Sequence, residues 1–161
     1  MEPSIAIQAL ESSNVDERRQ AAEACAKNTD LAQAAVIPLC RCCADDDEQV
    51  SEWANGALEE LGPPAKEELP ALIDLLTAAA PTAYWAVTLV GRLEEAGSPA
   101  LPQLVAAINQ PETPTEVRDR AIWAIGKIGS GDASVHEALQ KAAASDNPRT
   151  ARLAASTLEK L

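Results

Sequence analysis

The chain has little aromatic character: no phenylalanine, one tyrosine and three tryptophans in 161 residues. It has one histidine, His136, which excludes a metal centre built from several histidines. No apolar run is long enough to span a bilayer as a helix. β-Branched residues never form long alternating runs, which disfavours a sheet. No nucleophile elbow, P-loop or dinucleotide glycine pattern occurs. The opening Met1-Glu2-Pro3-Ser4 has no basic region leading into an apolar one, so no secretory signal is expected and a cytoplasmic location is the default.

Basic charge is also scarce at first. Residues 1–114 hold 6 Lys+Arg against 19 Asp+Glu, whereas residues 115–161 hold 7 against 6. The net charge of −12 makes nucleic acid an unfavourable partner.

What is present is a repeat. Val117-Arg118-Asp119-Arg120-Ala121-Ile122-Trp123-Ala124-Ile125-Gly126-Lys127-Ile128-Gly129 is the clearest of five copies. The alanines equivalent to Ala121 are Ala22, Ala54, Ala86 and Ala154, successive members of the five standing 32, 32, 35 and 33 residues apart. Pro38, Pro70 and Pro102 give a second marker with a period of 32. A fixed period of this size signals stacked units that bury their apolar faces only against neighbours. Abundant alanine and leucine make the units helical.

Each unit reads as helix A, turn, helix B. The A helices are expected at about 4–12, 31–43, 65–79, 98–109 and 133–145, and the B helices at about 15–27, 47–61, 82–96, 114–129 and 148–161. Gly62-Pro63-Pro64, Gly97-Ser98-Pro99, Gly129-Ser130-Gly131 and Asp146-Asn147-Pro148 carry the breakers between them. Pro81 and Pro148 suit the first turn of a B helix, and Ser51 or Asp47 caps the second B helix. Three extra residues fall in a longer surface loop, Gln110-Pro111-Glu112-Thr113-Pro114. Pro38, Pro70 and Pro102 fall inside A helices and are expected to kink them. Val117, Ala121, Ala124, Ile125 and Ile128 share a face, as do Val50, Ala54, Ala57, Leu58 and Leu61.

A kinked A helix followed by a B helix of type V-R-x-x-A-x-x-A-[IL]-x-x-[IL]-G resembles the HEAT-repeat family, most of all its short-period, bilin-lyase-type branch. The resemblance covers the whole chain, is strongest at 50–62 and 117–129, and is weakest at 18–29, where Arg18 replaces the first aliphatic residue. It implies one domain, residues 1–161: an all-α, right-handed α-solenoid (α-α superhelix) of about five antiparallel helix pairs. The units are about 3–29, 30–62, 63–97, 98–129 and 130–161. It also implies that the B helices line the concave side.

The four aromatic residues, Trp53, Tyr84, Trp85 and Trp123, all lie on central B helices. Trp53, Trp85 and Arg120 are equivalent in the repeat, and Trp123 is one turn further on. Small residues, Gly56 and Thr88, occupy the positions equivalent to Trp123. On the implied concave side, Trp53, Trp85, Arg120 and Trp123 face a groove, with Tyr84, Arg92 and Lys127 near it. Tryptophan and arginine concentrate binding energy at interfaces. The expected function is therefore a protein–protein interaction module or scaffold holding a peptide or helix, with a basic or apolar segment as its partner. The competing placement uses the indoles as packing between B helices. Open ends, with Leu153 and Leu158 uncovered on the last helix, make an end-to-end homodimer the other interaction.

Cys25, Cys40, Cys42 and Cys43 cluster, but a zinc site needs a second Cys-x-x-Cys element; buried small side chains are the plainer reading. No cofactor, metal or catalytic constellation is expected. Some HEAT-like proteins are di-iron hydroxylases with repeated His-Glu pairs, and His136-Glu137 alone does not meet that pattern. Two enzymatic alternatives follow from the resemblance: bilin-lyase-like activity, and excision of alkylated DNA bases from a basic groove with tryptophans. Arg118, Arg120, Lys127, Arg149 and Arg152 make the last units the surface least hostile to phosphate.

Overall fold

A computed structural model describes residues 1–129 and 131–161. Ser130, in the break Gly129-Ser130-Gly131, lies outside the described residues. Among the described residues all regular structure is helical. No described helix is long and apolar enough to cross a membrane.

The chain forms two compact units, Met1–Ala71 and Leu72–Leu161. The first holds α1 (Pro3–Leu10), α2 (Val15–Lys27), α3 (Thr29–Ala34), α4 (Val36–Cys42) and α5 (Glu48–Glu60). Helix α6 (Leu69–Asp74) spans the boundary. The second unit continues with α7 (Ala80–Arg92), α8 (Leu101–Asn109), α9 (Thr115–Ile128), α10 (Ala133–Ala143) and α11 (Pro148–Lys160).

Helix starts follow the capping chemistry of the sequence. Asn14, Asn28, Asp47 and Asn147 each accept a hydrogen bond from a backbone N–H in the first turn of α2, α3, α5 and α11. Asp47 is therefore the cap of α5, while Ser51 donates its hydroxyl to the carbonyl of Glu48. Pro81 and Pro148 stand in the first turns of α7 and α11. Helix α9 closes on Gly129, whose φ of 78° is in the left-handed region that costs glycine little.

The prolines of the A segments act differently from the interior kinks expected of them. The segment 31–43 is two helices, broken at Ala35 (φ −116°, ψ 26°), and Pro38 sits in the first turn of the second. Pro70 and Pro102 likewise occupy the second position of α6 and α8, each preceded by a 3-10 turn, Lys66–Glu68 and Glu94–Ala100. Proline cannot donate to the carbonyl four residues back, and it disfavours α geometry in the residue before it. The chain meets both constraints by starting a new helix.

The repeat positions form the core. Val50, Ala54, Ala57, Leu58 and Leu61 are buried in the first unit, and Val117, Ala121, Ala124, Ile125 and Ile128 in the second. Burial of each leucine or isoleucine contributes about 1.5–3 kcal/mol. In the first unit α2 packs on α5. In the second, α7 packs on α9 and α9 on α11, with α8 and α10 behind them.

Arg18 and Arg19 explain the weak first copy of the repeat. Arg18 donates Nε and Nη2 to the Asp45 carboxylate at 2.7 and 3.1 Å, and Arg19 donates Nε and Nη2 to Asp47 at 3.0 and 2.6 Å. Where the second and fourth copies bury a valine, Val50 and Val117, this one ties α2 to the turn that starts α5. Two of the carboxylates in the run Asp45-Asp46-Asp47-Glu48 are thus engaged and part-buried.

Candidate functional site

The second unit carries an open cleft of about 530 Å³ where α7, α9 and α11 present neighbouring turns. Tyr84 comes from α7. Thr115, Glu116, Asp119, Arg120 and Trp123 come from α9, and Asn147, Arg149 and Leu153 from the start and middle of α11.

Arg120 is the centre of the cleft. Its guanidinium carbon lies 4.5 Å from the ring centre of Trp123 and 4.7 Å from that of Tyr84. Cation–π attraction of this kind is strongest where water is partly excluded. Arg120 also donates Nη2 to the Tyr84 hydroxyl. Its Nε is buried and has no hydrogen-bond partner among the described residues. The side chain is therefore half-buried and held in place, with donors left over.

Trp123 is half-buried, and its position depends on a glycine opposite. A Cβ on Gly91 of α7 would stand 2.5 Å from Cζ3 of Trp123 and 3.1 Å from Cα of Ala124. Only glycine lets the two helices approach this closely with the indole between them. The Lys127 ammonium lies 5.9 Å from the Trp123 ring centre, on the side of the next turn.

Asp119 is buried, its side chain 9% exposed, although it lines the cleft. It accepts a 2.6 Å hydrogen bond from the Thr150 hydroxyl, and Arg149 Nε lies 3.6 Å from its other oxygen. A buried carboxylate is tolerable only when hydrogen-bonded or paired in this way.

The sequence-predicted contact residues separate into three groups. Tyr84, Arg120 and Trp123 line the cleft together, and Lys127 borders it through Trp123. Trp85 is a correction: it is only 8% exposed, packed edge-on to Tyr84 at 5.8 Å and covered by Arg92 at 5.7 Å, so it supports the unit from inside. Trp53 belongs to the first unit, where it is 38% exposed with the Lys27 ammonium 5.7 Å from its ring centre. The three equivalent positions thus have three different environments. Sequence reasoning missed Thr115, Glu116, Asp119 and Asn147, and named Arg149 and Leu153 only for other surfaces, not for this cleft. The repeat frame contains a signal for one of them, because Leu153 is the fifth member of the Trp53, Trp85 and Arg120 series.

The other candidates are elsewhere. All four cysteines are free and buried. Burial pushes the Cys25 thiol up to about 11 and those of Cys40 and Cys42 to about 12, and raises Cys43 as well, so thiolate chemistry is suppressed. Among the described residues no group of three or more His, Cys, Asp and Glu side chains converges as a metal site requires. His136 is half-buried on α10, with Nδ1 3.3 Å from the carbonyl of Asp132. Leu153 and Leu158 on α11 are half-buried.

A family model described as HEAT repeats matches residues 69–159, more than half of the chain. The chain belongs to the HEAT-repeat family. Among solved structures, this HEAT-repeat chain is similar to one in the complex of CpcE and CpcF of phycocyanin lyase from Nostoc sp. PCC7120. They are 25% identical with a TM-score of 0.65, covering 100% of this chain and 65% of that one. That likeness is to the short-period branch suggested by the B-helix pattern. A designed armadillo repeat protein in complex with the peptide (KR)4 is 21% identical with a TM-score of 0.61, covering 96% of this chain and 80% of that one. An engineered protein is 21% identical with a TM-score of 0.62, covering 99% and 79%. No curated protein matches the chain. The fold is an α-helical repeat solenoid, an architecture typical of protein-binding scaffolds.

Proposed function

We propose that this HEAT-repeat chain is a protein-interaction module that holds a peptide or helix of another protein on the B-helix face of its second unit. Tyr84, Arg120 and Trp123 make the contact, Lys127 flanks it, and Trp85 with Arg92 supports it from behind. Trp53 offers a separate apolar contact on the first unit. The observation that carries this reading is the guanidinium of Arg120, stacked against Tyr84 and Trp123 in an open cleft. It combines the two residue types that dominate interface energetics with a geometry already fixed before any partner arrives.

Selection of a displayed random-peptide library on the full chain tests this. Enriched peptides should lose binding to a Trp123→Ala variant of native helicity. Failure to enrich any sequence, or binding indifferent to Trp123→Ala, overturns it.

A second reading, that the chain is a subunit acting in chromophore attachment, is supported by 25% identity along its full length to the phycocyanin lyase chain. Mixing the chain with a free bilin and recording visible absorbance tests it, and an unchanged spectrum rejects it.

A further inference from the structure

The lining of the cleft has more hydrogen-bond donors than acceptors. Arg120 uses Nη2 on Tyr84 and leaves Nε buried and unmatched. Among the described residues no carboxylate forms an ion pair with it. Tyr84 accepts from Arg120, so its own hydroxyl proton is free to be donated outward. The Arg149 side chain is 83% exposed, and its approach to Asp119, at 3.6 Å, is longer than a direct hydrogen bond. Asp119 is meanwhile engaged by Thr150. Among the described residues, Glu116 is the one ionisable acceptor in the lining not already engaged, and it is exposed.

From this we infer that the cleft takes an acidic peptide segment: a carboxylate against Arg120 and Arg149, and an adjacent apolar side chain on Trp123 and Leu153. The inference rests on the interaction-module reading and specifies its partner. It reverses the basic segment suggested by charge along the sequence. That suggestion drew on the acidic stretch 1–114, whose excess charge is mostly in the first unit, where residues 1–71 hold 15 Asp+Glu and 5 Lys+Arg. Residues 72–161 hold 10 and 8. At physiological salt charges are screened over about 8 Å, so the groups inside the cleft decide the sign of its ligand. Guanidinium groups suit this role because they pair with carboxylates through two parallel hydrogen bonds.

Three dye-labelled octapeptides that share a central leucine pair, flanked by glutamates, lysines or serines, test the proposal by fluorescence anisotropy with the full chain. The glutamate peptide should bind best, and Arg120→Gln and Arg149→Gln should each weaken it about tenfold, the worth of one charged hydrogen bond. Glu116→Gln should tighten it. Arg149 is largely in solvent, so its variant keeps the test decisive even where Arg120→Gln disturbs folding. Equal binding of the serine and glutamate peptides, lost in Trp123→Ala, overturns the acidic preference and leaves the interaction module standing. Tighter binding of the lysine peptide does the same. Binding of none of the three counts against both.

Discussion

Thr150 donates its hydroxyl to Oδ1 of Asp119 at 2.6 Å, and both side chains are buried. The bond joins α11 to α9 at the repeat position where Val50 and Val117 are aliphatic. Thr150→Val restores that aliphatic residue but leaves the carboxylate short of a donor. It should lower unfolding stability by about 1–3 kcal/mol. Asp119→Ala combined with Thr150→Val should cost less than the sum of the two single changes, because the orphaned acceptor is gone. Urea midpoints for the four proteins measure this, and strict additivity would contradict it.

Asp47 gives the first unit a pH dependence. Hydrogen bonds from Arg19 hold its carboxyl down to about 2, against desolvation. A folded value below the unfolded one means that unfolding takes up a proton. The stabilisation is whole above the ordinary carboxylate value near 4, and is lost as pH falls through about 2. Asp47→Asn keeps a capping oxygen and removes the charge. Its melting temperature should lie below that of the parent at pH 7 and converge with it near pH 2. Parallel curves across that range would assign the effect to capping alone.

Gly91 should tolerate no side chain. Its Cβ would overlap the Trp123 ring and stand 3.1 Å from Cα of Ala124, a backbone atom that cannot rotate aside. Overpacking of this kind costs about 1–3 kcal/mol. Gly91→Ala is expected to lower the thermal midpoint and to red-shift tryptophan emission as the Trp123 indole moves toward water. An unchanged midpoint and spectrum would mean that α7 and α9 separate more easily than their packing implies.

The helix inventory was legible because Ala54, Ala121 and their equivalents repeat with one period, and the residues sharing their face are the buried ones. The role of Pro38, Pro70 and Pro102 was not. A proline seen in sequence removes a donor wherever it stands, and whether the chain kinks or restarts depends on the residues before it. The site was partly legible. Position in the repeat marks Trp53, Trp85 and Arg120 as equivalent, but an indole at the margin of an apolar stripe turns inward or outward according to its neighbours. Arg92 covers Trp85, whereas Tyr84 and Trp123 hold Arg120. Those partners come from adjacent turns and helices, and the period alone does not pair them. The contact of Gly91 with Trp123 was invisible for the same reason.

Arg118 spans the connection between α8 and α9, donating Nη2 to the carbonyl of Gln110 at 2.8 Å, with those of Pro111 and Thr113 at 3.4 and 3.3 Å. This loop is as long as the one between α4 and α5, so the three extra residues expected in it lengthen α8 instead, and the loop is fastened to the helix that follows it by a side chain that the helix itself supplies. Change of length at this seam is thereby uncoupled from change of register in the core. Further residues inserted between Gln110 and Pro114 would hang from an anchored base, and the stacked helices would not need to shift to receive them. The repeat gains a place where its sequence can grow outward.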